Sequence, residues 1–146
     1  MSKTLKIGLF GFGCVGQGLY HVLKNSTGFK ADIVKIGLKN KFKERNIPQD
    51  LITYDKWDIL NNPDIDVIVE LIDNSEDAYF IVKEALKRGK HVVTANKKLL
   101  ATHLDELVFL QKQNNVSLLY EGSVCGSIPI IRTLEEYFDN EELEKV

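Results

Sequence analysis

Three glycines at fixed spacing carry the first chemical signal. Gly11-Phe12-Gly13-Cys14-Val15-Gly16 follows a short apolar run, residues 5–10, and opens a stretch of helical periodicity. Between a strand and a helix each glycine has a task. Gly11 permits the tight turn, Gly13 lets a pyrophosphate approach the backbone, and Gly16 lets the helix pack close to the strand. The free N–H groups and positive dipole end of the helix favour phosphate. All six residues are therefore expected to hold a nicotinamide dinucleotide. The alternative is a tight strand–helix turn and nothing more.

The second signal lies after the next strand. An acid about 20 residues past the glycines holds the ribose hydroxyls of NAD. Here residues 31–38 end at Leu38 and run into Lys39-Asn40-Lys41-Phe42-Lys43. A carboxylate there would repel a 2′-phosphate, whereas Lys39 and Lys41 can pair with one. Charge therefore favours NADP over NAD. The alternative is a solvated basic loop.

These residues need elements to position them. Residues 5–10, 31–38, 51–53, 66–72, 91–94 and 116–120 read as strands, the fourth preceded by an Asn-Pro-Asp turn at 62–64. Helical spacing links Val15, Leu19, Val22 and Leu23, then Ala78, Ile81, Val82, Ala85 and Leu86, then Leu104, Leu107, Val108 and Leu110. Residues 39–45 read as loop or a short helix. Pro129 suits the first turn of a last helix. Strands alternating with helices predict an α/β fold, a single three-layer domain over residues 1–146. Its doubly wound, mostly parallel Rossmann sheet has the order 3-2-1-4-5-6. Trp57 and Tyr54 are expected to pack against the third strand.

Composition excludes several classes. The 146 residues are 44% hydrophobic and 27% charged with a net charge of −2, as in an ordinary globular domain without a broad basic face for nucleic acid. No apolar run reaches the length of a membrane span, and the start lacks a signal peptide, so a cytoplasmic location is expected. Cys14 and Cys125 have no His or Cys companions at metal-ligand spacing, so neither zinc nor a disulfide is expected. The acidic end, residues 135–146, has no turn or cap and reads as a cut inside a longer chain.

Longer strings carry a family resemblance. Gly11 to Gly16, Val69-Glu70-Leu71-Ile72-Asp73-Asn74-Ser75, Val92-Val93-Thr94-Ala95-Asn96-Lys97-Lys98 and the run from Tyr120 to Ile131 together resemble homoserine dehydrogenase. The resemblance covers nearly all of the chain but only the N-terminal part of that enzyme. It implies NAD(P)H-dependent reduction of aspartate semialdehyde to homoserine, in the biosynthesis of threonine, methionine and isoleucine. It also implies a homodimer or homotetramer at full length, binding small molecules rather than nucleic acid or membrane.

Position by position, the resemblance assigns Asn74, Ser75, Thr94 and Ala95 to the cofactor. Lys97 matches a lysine that reaches both cofactor and substrate. An ammonium at the sheet's C-terminal edge can polarise a carbonyl; the alternative is a surface lysine at a helix start. Glu121, with the carbonyls of Val124, Gly126 and Ile128, matches a loop that holds a monovalent cation such as Na⁺ in some relatives. The alternative is a structural loop in which Glu121 accepts backbone N–H bonds. Cys125 stands where small residues are common in the family. The Asp and Lys closest to hydride transfer would lie in a second domain beyond Val146, so the fragment alone is expected to be inactive. Two other readings remain: the cofactor domain of another two-domain dehydrogenase, and a stand-alone nucleotide-sensing module.

Overall fold

The computed structural model describes residues 4–28, 30–126 and 128–137. Strand β1 (Leu5–Phe10) is buried from Ile7 onward, as a strand covered on both faces must be. Helix α1 (Cys14–Asn25) leads to β2 (Ala31–Gly37). A two-residue β3 (Ile52–Thr53) and the single-turn α2 (Trp57–Leu60) precede β4 (Val67–Glu70). Then come α3 (Ser75–Lys87), β5 (His91–Thr94), α4 (Lys97–Gln113), β6 (Leu118–Leu119) and α5 (Ile130–Tyr137).

The six strands form one sheet, ordered β3-β2-β1-β4-β5-β6, with every pairing parallel. The predicted doubly wound order is thus observed. The winding reverses between β1 and β4, and a crevice opens there at the strands' C-terminal ends.

Two cores cover the two sheet faces. One gathers Ile68 and Val92 with Ile59, Val82, Leu86 and Leu107 from α2, α3 and α4. The other joins Leu9, Ile36 and Val69, with Leu19 and Leu23 of α1 packed against them. The stripe expected on α1 is only half right. Val15 and Val22 are 65% and 67% exposed. The inward face is the buried Gly16 with the half-buried Leu19, Tyr20 and Leu23, because α1 must turn Gly16 toward the turn before it.

Beyond single-residue trims of β2 and β3, three elements differ from the sequence reading. Strand β4 stops at Glu70 rather than residue 72. Leu71 N–H still reaches the Phe10 carbonyl, but Ile72 N–H turns back to the Glu70 carboxylate. Strand β6 shrinks to two residues. Ser117 N–H bonds His91 Nδ1 and Leu118 N–H bonds the Gln111 side chain, so side chains replace ladder partners. Helix α2 is additional, and residues 39–45 are loop. Trp57 opens α2 and meets Phe80 of α3 edge-on, rather than packing on β3. The acidic end beyond residue 137 lies outside the described residues.

Candidate functional site

A cavity of about 1080 Å³ opens over the C-terminal ends of β1, β2 and β4. All of residues 11–16 line it. Gly11 has φ +93°, a conformation that excludes most side chains. A Cβ on Gly16 would strike the Gly11 carbonyl, so only glycine lets α1 start this close to the turn. Gly13 is different: a Cβ there would meet nothing within 4 Å. Its missing side chain serves no internal packing and leaves the cradle open. Gly13 also caps α1, so no side chain bonds the helix's first N–H groups, and its first turn carries no acid. This is a site shaped for an anion.

The β2 side is basic. Lys39 lines the cavity as expected, joined by Asn40, Lys43 and Arg45 from the following loop. Lys41 does not line it and lies 5.3 Å over the Tyr54 ring. Arg45 donates from Nη1 to the Lys43 carbonyl at 3.3 Å, while its Nε is buried without a partner among the described residues. Sequence reading ended the basic stretch at Arg45 but did not assign that residue to the cofactor, since seven residues of loop separate it from β2. It also missed Asp77. That α3 carboxylate faces the cavity and sits 3.4 Å from Lys39 Nζ, across the cleft. Tyr54, 44% exposed, lines the same wall.

The loop after β4 forms the opposite wall, with Leu71, Ile72, Asp73 and Asn74 lining the cavity. Asn74 caps α3, its Oδ1 accepting from Glu76 and Asp77 N–H at 3.0 and 2.9 Å. Ser75 begins α3 and does not line the cavity. Thr94, Ala95 and Lys97 do not line it either. Thr94 is 1% exposed and donates its hydroxyl to Glu70 Oε2 at 2.6 Å. Lys97 is exposed at the first position of α4, which Asn96 caps by accepting from Leu99 N–H.

Beneath this wall Glu70 is fully buried. Burial pushes its carboxyl above the ordinary value, against the hydrogen bonds from Thr94 and Ile72 that pull it down. No role for Glu70 follows from the sequence, although one acid closing an apolar strand is a readable signal.

Farther along, Glu121 is already committed. Its two oxygens accept from Ile131 and Arg132 N–H at 3.0 and 2.9 Å, where they satisfy the start of α5. The Ile128 carbonyl accepts from Ile130 N–H. The carboxylate thus does the backbone work of the structural alternative. Cys125, at φ +51°, and Gly126, at φ +60°, turn this loop. Among the described residues no cluster of three or more His, Cys, Asp or Glu side chains is placed to hold a metal. No helix among them is long and apolar enough to cross a membrane.

Comparison with known proteins agrees with this geometry. Residues 11–121 match the family described as the homoserine dehydrogenase NAD-binding domain. Homoserine dehydrogenase of Bacillus subtilis is 35% identical, over 99% of this chain and 35% of its own length. The crystal structure of the Thiobacillus denitrificans homoserine dehydrogenase superposes with a TM-score of 0.84 at 35% identity, covering 92% of this chain and 33% of that one. A hyperthermophilic archaeal homoserine dehydrogenase in complex with NADPH gives 0.80 at 25% identity, covering 94% of this chain and 50% of that one. The chain thus spans about a third of the curated relative's length. Its glycine turn, sheet order and sequence place it in one family: the chain belongs to the NAD-binding domains of homoserine dehydrogenases.

Proposed function

We propose that the chain is the cofactor-binding part of a homoserine dehydrogenase acting on aspartate semialdehyde and homoserine, with NADP as the preferred cofactor. One observation carries the reading: an uncapped helix start and a side-chain-free Gly13 face a cavity large enough for a dinucleotide. When bound, the cofactor supplies hydride to the aldehyde. This chain's residues bind and orient it. The N–H groups at the start of α1 meet the pyrophosphate, and the loop after β4 walls the nicotinamide side. Lys97 sits at the sheet edge toward the substrate. This reading assigns the other substrate contacts, the domain pairing and a homo-oligomeric state to the length that the relatives have and this segment does not cover. No step is assigned to a cation; the two Glu121 oxygens support the start of α5.

The purified chain is expected to bind NADPH, seen as a change in nicotinamide fluorescence, yet to turn over homoserine negligibly. Robust turnover by this segment alone would show that it holds the whole reaction centre.

The preference for NADP rests on Lys43 and Arg45 along the β2 wall, on Lys39, which a 2′-phosphate would draw from its exposed pair with Asp77, and on Arg45 Nε, which has no partner among the described residues. A buried guanidinium N–H without an acceptor is a cost that a phosphate oxygen would remove. Arg45→Met is expected to weaken NADPH about tenfold, as for one lost charge-assisted hydrogen bond, and to leave NADH unchanged. Equal losses for both cofactors in parallel titrations would remove Arg45 from the 2′-phosphate.

A further inference from the structure

The wall beneath the nicotinamide side has a closed hydrogen-bond circuit. Glu70, at the end of β4, accepts from Ile72 N–H at 2.7 Å through Oε1 and from the Thr94 hydroxyl at 2.6 Å through Oε2. The Thr94 hydroxyl oxygen in turn accepts from Asn96 N–H at 3.1 Å. The Asn96 side-chain amide donates to the Ile72 carbonyl at 3.1 Å. Both backbone polar groups of Ile72 are therefore held, one by Glu70 and one by Asn96. Glu70 and Thr94 are paired across β4 and β5, so the circuit fastens together the loops leaving two neighbouring strands.

The circuit bears directly on the cavity. Leu71 and Ile72 line it. They also abut Gly11, where an added Cβ would lie 2.6 Å from the Leu71 carbonyl and 3.1 Å from Ile72 Cγ2. The position of Ile72 thus sets how close the β4 wall comes to the glycine turn. Asn96 caps α4 and so sets where Lys97 begins. In a doubly wound fold the adenosine half lies over β2 and the other half over β4 and β5. A carboxylate is suited to the task because it only accepts, and two donors from different loops converge on it. Burying it is costly, and nothing in the packing of β4 requires an acid there.

We propose that Glu70 is a positioning residue: with Thr94 and Asn96 it clamps the loops after β4 and β5 in the register that receives the nicotinamide half of the cofactor. The proposal rests on the cofactor reading above.

The test compares a whole cofactor with its adenosine half, on the wild-type chain and on Glu70→Gln, Thr94→Val and Thr94→Ser. The probes are NADPH with 2′-phospho-ADP-ribose, and NADH with ADP-ribose; the tighter pair is used. Glu70→Gln leaves one of the two donors without an acceptor, and Thr94→Val removes the hydroxyl at nearly constant shape. Each is expected to weaken the whole cofactor about tenfold, the cost of one unmet buried hydrogen bond. The adenosine half should bind as in wild type. Thr94→Ser, which keeps the hydroxyl, should restore the whole cofactor's affinity and its nicotinamide fluorescence. Equal losses for both probes, or no loss for either, would overturn the clamp, since a merely structural role does not distinguish the halves. If Glu70→Gln fails to fold, the Thr94 pair decides alone. A wild-type chain that binds neither probe would instead defeat the cofactor reading itself, and the clamp with it.

Discussion

Gly13→Val is expected to abolish dinucleotide binding while leaving the domain folded and melting within a few degrees of wild type. Gly13 has φ −81° and ψ −157°, an extended conformation that valine adopts readily. A Cβ at this position meets no atom within 4 Å, so nothing inside the molecule has to move. The cost to stability is confined to a poorer helix cap, about 1 kcal/mol. The branched side chain would stand in the cradle at the start of α1, where the pyrophosphate must approach the backbone closely. Losing those N–H contacts removes several charge-assisted hydrogen bonds, so affinity should drop by a factor of about 100 or more. Titration with NADPH and a thermal melt, run on one preparation, check both halves of the statement. Unchanged affinity would place the phosphates elsewhere in the cavity. A large loss of stability would mean that Gly13 packs more tightly than its open surroundings show.

Residues differ in how far their role is legible in the chain alone, and the reasons are physical. Strands β1 and β5 are readable to the residue because both are short apolar runs closed by turn signals, Gly11 after one and the Asn96 cap after the other. The order of the sheet follows from the alternation of strands and helices, since right-handed crossovers leave few options. The glycine turn is readable because glycine spacing encodes backbone geometry directly. Arg45 and Asp77 are a different kind of residue. They reach the cavity from an irregular loop and from the first turn of another helix, and no periodicity connects them. Thr94 illustrates a limit of motif matching. It belongs to a recognisable string, yet its side chain points into the Glu70 circuit and not into the cavity. Glu121 is similar: its carboxylate can serve a cation or a helix start, and only the fold shows that α5 begins above it.

Gly11→Ala should do the reverse of Gly13→Val and cost the fold first. At φ +93° an alanine is strained by roughly 1–3 kcal/mol whatever the space around it. The space is also lacking. The new methyl would lie 2.6 Å from the Leu71 carbonyl oxygen and 2.9 Å from its carbon. These are backbone atoms on β4's exit, held by the bond from Leu71 N–H to the Phe10 carbonyl. They cannot rotate aside as a side chain tip can, so overpacking adds roughly another 1–3 kcal/mol. The expected sum, about 2–6 kcal/mol, corresponds to a fall in melting temperature of roughly 5–20 °C for a domain of this size. Thermal melts followed by circular dichroism measure it directly, and a shift below two degrees would show that the turn is not built on this conformation. The surviving folded fraction adds a second reading. The methyl presses on Leu71 and Ile72, the residues that the Glu70 circuit holds in place. Any binding that remains at low temperature should therefore be impaired on the nicotinamide side of the glycine turn, where the β4 wall has been displaced.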